Sequence, residues 1–372
     1  MNIGFDAKRA FNNLTGLGNY SRTLIAGLAE HFPDNRYVLF TPSIRLHSFE
    51  NRQNISIVKP EGLHRHLKWY WRSFFLPAEQ KKAGLHIYHG LSNELPFGKS
   101  SETVKQVVTI HDLIFLKYPQ YYSFIDRKIY ETKVRHSCEA ADKIIAISEQ
   151  TKRDIIEWLP ALENKIDVVY QSCDARFQQP INQDELQRVK NKLALPEKYI
   201  LYVGTITERK NILNLVKSYS QIVNETDVQL VLAGDGGDYK AQVKKLVQQL
   251  GLEKRVRMIE QIEGNDMPAL YRGASLFVYP SVYEGFGIPI IEALFSDVPV
   301  VTTQGGCFPE AGGPYTCYVN TSNSGALAQA MKAILSNQSL REKMIQEGKN
   351  YVQKFRSEVV AEKLMTLYTS VA

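Results

Sequence analysis

The chain predicts an α/β fold of two domains, each built on a parallel β-sheet with helices on both faces. Its 372 residues exceed what one hydrophobic core ordinarily organises, and the length is near twice that of a common domain. Short β-branched or aromatic runs alternate with amphipathic stretches from end to end, the pattern of repeated β-α-β units. A polar stretch at residues 178–185 divides that alternation in two and reads as the linker. Parallel sheets gather ligands at the carboxyl ends of their strands, so chemistry belongs in the loops that leave strands.

In the first half, residues 3–5, 37–40, 55–58, 86–88, 104–110, 144–147 and 166–170 read as strands, with 20–31 and 125–140 as amphipathic helices. The loop Thr15-Gly16-Leu17-Gly18-Asn19-Tyr20 precedes the first helix. Gly16 and Gly18 can cradle an anion there or simply make a tight turn. Position 21 is Ser, so the G-x-G-x-x-G fingerprint of nicotinamide binders is not met. His111-Asp112 closes the run 104–110. An imidazole at the end of a buried strand can donate a hydrogen bond to a substrate oxygen, or it can merely cap the strand.

Residues 59–82 stand apart. Lys59, Arg65, Lys68, Arg72, Lys81 and Lys82 face only Glu61 and Glu79, with His64, His66, Trp69, Tyr70, Trp71, Phe74 and Phe75 interleaved. Leu67, Trp71, Phe74 and Phe75 fall at helical spacing, the composition of a helix lying on an anionic membrane. A core-packed helix with a solvated basic face reads equally well. Either way Arg65, Lys68, Trp69, Trp71 and Arg72 are candidates for meeting an acceptor or a membrane.

Composition excludes several classes. Hydrophobic residues make up 44% and charged residues 23%, which are globular values. No apolar run reaches membrane-spanning length, and the N-terminus lacks the pattern of a signal peptide. Cys138, Cys173, Cys307 and Cys317 are scattered without a C-x-x-C pair, so neither a zinc site nor a disulfide framework is indicated and a reducing cytoplasm fits. The net charge of +6, split as +4 over residues 1–175 and +2 beyond, is too small to argue for nucleic acid. It suits anionic small molecules or an anionic surface.

In the second half, strand 199–203 runs into Gly204-Thr205-Ile206-Thr207-Glu208-Arg209-Lys210-Asn211 and a helix. Arg209 and Lys210 at a strand exit are placed to meet a diphosphate. Strand 228–233 leads into Gly234-Asp235-Gly236-Gly237, where close backbone packing is the leading role. Strand 274–279 then feeds Pro280-Ser281-Val282-Tyr283-Glu284-Gly285-Phe286-Gly287-Ile288-Pro289. Its glycines permit a tight turn and close ligand approach, Pro289 suits a first helical turn, and a helix start attracts phosphate. Glu284 lies in the loop, and Glu292, eight positions on, about one turn inside the helix. Strand 298–302 runs into the glycine-rich stretch 303–310, and the tail from 339 onward is mostly helical in pattern.

These motifs together resemble the retaining nucleotide-sugar glycosyltransferases of family 4, the "group 1" transferases of the GT-B fold, and the resemblance covers essentially the whole chain. Glu284 and Glu292 are similar to the two glutamates of that family's E-x7-E motif, Gly204 to Asn211 to its diphosphate loop, and Gly16-Leu17-Gly18 to its N-terminal glycine loop. His111-Asp112 is similar to the His-Asp pair of mannosyltransferase-like members, and Ala233-Gly234-Asp235-Gly236 to the A-G-x-G turn. The resemblance implies two Rossmann-like domains facing a cleft, with a final helix crossing back. Residues 1–175 and about 353–372 would bind the acceptor, and residues 176–352 the nucleotide sugar. It further implies that Arg209, Lys210 and Gly204 meet the donor diphosphate, that Glu292 meets the ribose, and that Glu284 orients the sugar with Phe286, Gly287 and Ile288. His111 would contact the sugar, and Gly16 and Gly18 would close over the diphosphate. One departure is Gln171-Ser172-Cys173-Asp174 at the domain junction, where many relatives carry Asn-Gly-Val-Asp.

The implied chemistry is transfer with retention and without metal or other cofactor, the nucleoside-diphosphate sugar being a co-substrate. The leading expectation is a mannosyltransferase using GDP-mannose on a lipid-linked or polysaccharide acceptor, in lipopolysaccharide or capsule synthesis. It would be cytoplasmic, with a peripheral position on the inner face of the cell membrane as the variant. The alternatives are a transferase using UDP-glucose, UDP-galactose or UDP-N-acetylglucosamine, a sugar-nucleotide epimerase of the same fold, and a silent donor-binding partner of another transferase.

Overall fold

A computed structural model describes residues 1–47, 49, 52–98 and 103–372. The chain divides into two compact units, Met1–Asp174 with Phe355–Ala372, and Ala175–Lys354. Each is a parallel sheet covered by helices. Among the described residues the first sheet contains β1 (Asn2–Asp6), β2 (Arg36–Phe40), β3 (Ile55–Val58), β4 (Ile87–Gly90), β5 (Lys105–Ile110), β6 (Lys143–Ala146) and β7 (Ile166–Val168), in the order β3-β2-β1-β4-β5-β6-β7. The second contains β8 (Tyr199–Val203), β9 (Gln229–Ala233), β10 (Val256–Ile259), β11 (Leu276–Tyr279), β12 (Val300–Thr303) and β13 (Cys317–Val319), in the order β10-β9-β8-β11-β12-β13. Central strands such as β8 and β11 are buried along their whole length, as strands covered on both faces must be. In both sheets the order reverses beside the first strand, at β1/β4 and at β8/β11, where ligand crevices open in such folds.

Several local expectations change. β10 and β13 were not foreseen. They are edge strands, only partly buried, so they lack the continuous apolar run that betrays a central strand. Residues 178–185 are only partly a linker, because helix Gln183–Lys192 starts inside them. Its cap is Asn182, whose side-chain oxygen accepts from the Glu185 N–H at 2.8 Å, the usual helix-start geometry. At the junction, Ser172 does not need the missing glycine. Among the described non-glycine residues only Asn93, Ala194, Asn211 and Asp297 have positive φ.

The basic segment forms short helical pieces, Lys68–Tyr70, Trp71–Phe75 and Leu76–Lys82, the middle one a π-turn. A π-turn shifts the following residues around the axis, so the expected apolar face is broken up. Trp71 is 2% exposed and belongs to the core, whereas Leu67, Phe74 and Phe75 are 50%, 43% and 37% exposed. Arg72 is also withdrawn from the surface. Its guanidinium lies 2.5 Å from Asp6 and 2.5 Å from Glu94, and these carboxylates hold its pKa above the usual value despite burial. Trp71 and Arg72 are therefore unsuited to a membrane-facing role, while Arg65, Lys68 and Trp69 stay exposed. No helix among the described residues is long and apolar enough to cross a membrane.

The chain ends back on its first unit. Helix Ser357–Val371 packs on helix Gly16–His31, so closely that a Cβ at Gly27 would lie 2.5 Å from Ser357 Oγ. A buried polar chain reinforces this contact. Tyr368 Oη lies 2.6 Å from His89 Nδ1, His89 Nε2 lies 2.8 Å from Thr109 Oγ1, and Tyr20 Oη lies 3.0 Å from the same hydroxyl. Burial, with His111 adding to it, pushes His89 down to about 3. The imidazole is neutral, so one ring nitrogen donates and the other accepts within this chain. Tyr368→Phe leaves His89 Nδ1 buried without a partner and should lower stability by about 1–3 kcal/mol. Chemical denaturation measures this, and an unchanged midpoint would show that the hydrogen bond contributes nothing.

Candidate active site

In the second unit the strand exits are brought together by glycines. Gly204 follows β8 with φ +148° and Gly234 follows β9 with φ +154°, values that favour glycine. A Cβ at Gly234 would lie 1.9 Å from the Gly204 carbonyl oxygen, and one at Gly236 would lie 2.2 Å from that of Ile206. The two loops thus run backbone against backbone, tied by Gly204 N–H to Ala233 O at 3.0 Å and Ile206 N–H to Asp235 O at 2.8 Å. This is the close packing expected of the 234–237 turn, and it fixes the path of the loop carrying the cations.

That loop makes one tight turn, Glu208–Lys210, and Asn211 then reverses the chain with φ 60° and ψ 35°. Asn tolerates that conformation better than most side chains, and its Nδ2 donates to Thr321 O at 2.9 Å. Helix Ile212–Ser220 follows. The turn delivers Arg209 and Lys210 to Glu284, which lies between β11 and helix Ile288–Phe295.

Four groups converge on one oxygen of Glu284. Arg209 Nη1 is 2.7 Å from Oε1, Lys210 Nζ 2.5 Å, Ser281 Oγ 2.5 Å and Tyr279 Oη 3.2 Å. Lys210 Nζ also lies 2.5 Å from Tyr279 Oη and 4.9 Å from that ring's centroid, and Arg209 donates to the Tyr283 carbonyl. Burial would raise the Glu284 pKa, but Lys210 and Arg209 override it and hold the carboxyl at about 2. Lys210 is 9% exposed, and burial, aided by Arg209, draws its pKa down against the pull of Glu284. Further along, Gly287 has φ +128° and opens helix Ile288–Phe295, with Pro289 in its first turn. Phe286 is 2% exposed. Ile288 and Pro289 are half-buried at the helix start, where backbone N–H dipoles favour an anion. Glu292 accepts from Tyr271 Oη at 2.7 Å. Tyr271 is fully buried, its ring 5.3 Å from Phe177 and 5.1 Å from Phe277.

Tyr279, Ser281, Cys307 and Tyr271 were not singled out from sequence. Cys307, 1% exposed, places Sγ 2.8 Å from Phe286 O and 3.2 Å from Glu284 O, so it anchors the loop rather than reacting. Burial pushes its thiol pKa well up, which removes the thiolate a nucleophile needs. Residues 303–310 thus hold the glutamate loop through Cys307 and through Thr303, whose Oγ1 donates to Ser281 O, while Gly305 and Gly306 are exposed.

In the first unit Gly16 and Gly18 lie in the opening turn of helix Gly16–His31. Gly16 is exposed with nothing within 4 Å of a Cβ, but a Cβ at Gly18 would lie 1.8 Å from Asn13 O. Gly18 is demanded by packing and Gly16 is not. Tyr20 sets its ring edge-to-face on His111 at 4.6 Å. His111 is 6% exposed. Its Nε2 lies 2.8 Å from Leu91 O and its Nδ1 3.1 Å from Gln171 Nε2. Burial lowers its pKa to about 4 against the opposing Leu91 contact. The neutral ring therefore carries its proton on Nε2, toward the carbonyl, and accepts from the Gln171 amide.

Comparison with known proteins agrees with this architecture. The family model "Glycosyltransferase Family 4" matches residues 14–177 and "Glycosyl transferases group 1" matches residues 183–351. O-antigen chain mannosyltransferase B of Escherichia coli is 27% identical over 379 residues, covering 95% of this chain and 96% of that protein. Among solved structures, sucrose-phosphate synthase from Thermosynechococcus elongatus superposes with a TM-score of 0.77 at 21% identity, covering 100% of this chain and 99% of that one. Anabaena HepE in complex with UDP-glucose does so with a TM-score of 0.75 at 16% identity, covering 100% of both chains. The chain belongs to the family 4 and group 1 glycosyltransferases and is a glycosyltransferase enzyme of the GT-B fold.

Proposed function

We propose that the protein transfers a hexose, with retention and without metal, from a nucleoside-diphosphate sugar to a polysaccharide or lipid-linked acceptor in cell-surface glycan synthesis. The observation that carries this reading is the convergence of Arg209 and Lys210 on Glu284 at the β8/β11 exits. Arg209 binds the donor diphosphate bidentately and Lys210 adds a compact charge. With the N-terminus of helix Ile288–Phe295 they stabilise the charge that develops on the leaving diphosphate. Glu292, fixed by Tyr271, meets the ribose hydroxyls. His111 contacts the sugar and Gly16 leaves room for the diphosphate. Mannose from GDP-mannose is the donor we favour, supported by the His111-Asp112 pair and by the mannosyltransferase relative. The experiment is a panel of sugar nucleotides with release of the nucleoside diphosphate as readout. GDP-mannose should turn over, and turnover of a UDP-sugar alone overturns the donor assignment. Release of an epimerised nucleotide sugar from donor alone points to an epimerase instead.

The diphosphate and Glu284 compete for the same two cations. All four contacts reach Oε1, so Oε2 is the atom turned to sugar hydroxyls. When the diphosphate takes Arg209 and Lys210, Oε1 is released to the sugar as well. When the product leaves, the carboxylate recaptures the cations. Arg209→Ala should therefore weaken nucleoside-diphosphate binding by about 1.5–3 kcal/mol, roughly 10- to 150-fold. Glu284→Gln should bind the same diphosphate at least as tightly as the parent while losing turnover. If both variants weaken binding alike, Glu284 only shapes the loop.

We also assign the protein a peripheral position on an anionic membrane. Trp69 is 69% exposed and Tyr70 40%. Phe74 stacks on Phe97 at 6.1 Å, and Phe97 on His136 at 4.4 Å. His136 belongs to helix Phe124–Ala140, whose Phe124, Ile125 and Ile129 are 67%, 70% and 46% exposed. Aromatic and aliphatic side chains beside Arg65, Lys68 and Lys81 suit the interface of an anionic bilayer. The protein should sediment with phosphatidylglycerol vesicles at low salt, and Trp69→Ala with Phe74→Ala should release it. A protein that stays in the supernatant refutes the assignment.

A further inference from the structure

His111 follows β5 with its backbone pinned on both sides. Its N–H donates to Asn93 Oδ1 at 2.7 Å, and its carbonyl accepts from Thr151 Oγ1 at 3.3 Å. Asn93 is itself fixed, with φ 62° and its N–H on Thr109 O at 3.0 Å. With the backbone held, the orientation of the ring is left to the groups around it. Tyr20 packs edge-to-face on it with an interplanar angle of 90°. Leu91 O lies 2.8 Å from Nε2, and Gln171 Nε2 lies 3.1 Å from Nδ1. A carbonyl only accepts, so Nε2 carries the proton and Nδ1 presents a lone pair that needs a donor. Gln171, just after β7 and 3% exposed, supplies that donor. It belongs to Gln171-Ser172-Cys173-Asp174, the stretch where many relatives carry Asn-Gly-Val-Asp.

We propose that Gln171 is a positioning residue of the transfer, holding His111 as a neutral ring that offers its single proton, at Nε2, to the sugar. The inference rests on the transferase reading and assigns a residue that acts through His111. The amide suits this role because it donates without bringing charge. A carboxylate in its place would draw a proton onto Nδ1 and favour the imidazolium. Breaking the bond at an anomeric carbon builds positive charge on the sugar ring. An imidazolium would oppose that charge, whereas a neutral N–H donates to a sugar oxygen without doing so. The titratable or charged groups facing the ring are Tyr20 from helix Gly16–His31, His89 from β4 and Arg9 from helix Lys8–Asn12. Helix Glu149–Trp158 brings the uncharged Thr151, and the adjacent Asp112 turns Oδ1 to the Ile114 N–H at 3.1 Å. Arg9 opposes a second proton on the ring, so the amide and this cation act in the same direction.

Gln171→Met removes the donor at similar length, and Gln171→Glu replaces it with an acceptor. Long-range nitrogen–proton NMR reads the ring directly, the His111 signals being identified by their loss in His111→Phe. At neutral pH the parent should carry the proton on Nε2 and leave Nδ1 bare. In Gln171→Glu the Nδ1 should be protonated, and the imidazolium should form about 1–3 pH units higher than in the parent. With the sugar nucleotide that the donor panel selects, both substitutions should lower kcat about tenfold or more. KM for the donor and affinity for its nucleoside diphosphate should stay unchanged. Adding Gln171→Met to His111→Phe should lower kcat no further than His111→Phe alone. Losses that add in the double variant overturn the proposal, as does a parent ring with its proton on Nδ1. Parent turnover that survives both Gln171 substitutions overturns the role of Gln171 and spares the transferase. A parent that turns over no sugar nucleotide of the panel sinks the transferase reading, and the role of Gln171 falls with it whatever the ring's state.

Discussion

The second unit depends on one half-buried carboxylate that neutralises two cations. Arg209 and Lys210 leave one strand and Glu284 another, and each alone would be a desolvated charge in the middle of a sheet's ligand end. Lys210 in particular is almost fully buried, and an unpaired buried ammonium is untenable. Pairing with Oε1 of Glu284, and through it with Ser281 and Tyr279, makes the arrangement tolerable. On the donor role proposed above, this pairing is the one a diphosphate has to replace at both cations.

The rest of the unit keeps this triad in register. Glycines at 204, 234 and 236 let adjacent strand exits touch, so the cation loop has little freedom of height above the sheet. Cys307 holds two carbonyls of the glutamate loop, and Thr303 Oγ1 donates to Ser281 O at 2.6 Å. These contacts hold the loop from β12 and the turn after it, and Gly287 supplies the positive φ with which it enters the helix. A backbone held this way leaves the side-chain pairing, and not the loop, as what changes when a ligand binds.

Much of this was legible in the sequence, and the part that was not shares a cause. Strands buried on both faces announce themselves as apolar runs, which is why β8 and β11 were easy and the half-exposed edges β10 and β13 were not. Glu284, Glu292, Arg209 and Lys210 stand out because strand, glycine and helix start leave a local pattern. Ser281 and Tyr279 lie beside Glu284 but look like ordinary loop and strand residues. Tyr271 and Cys307 act across 21 and 23 residues of sequence, and no spacing rule reaches that far. The π-turn at Trp71–Phe75 defeats helical periodicity outright, since it moves Trp71 inward and strands Phe74 and Phe75 outside.

Cations are handled in two ways in this chain, some set against a built-in carboxylate and some left hydrated. In the second, Lys240 lies against Asp235 and Glu260, Arg188 and Lys192 against Asp266, and Arg209 and Lys210 against Glu284. On the proposed donor role, a ligand reaches Arg209 and Lys210 by displacing Glu284, which favours a diphosphate over a neutral sugar. In the first unit Lys59, Arg65 and Lys68 have no such partner among the described residues and remain hydrated. They can meet an anion without breaking an ion pair, and such an attraction weakens as salt screens it.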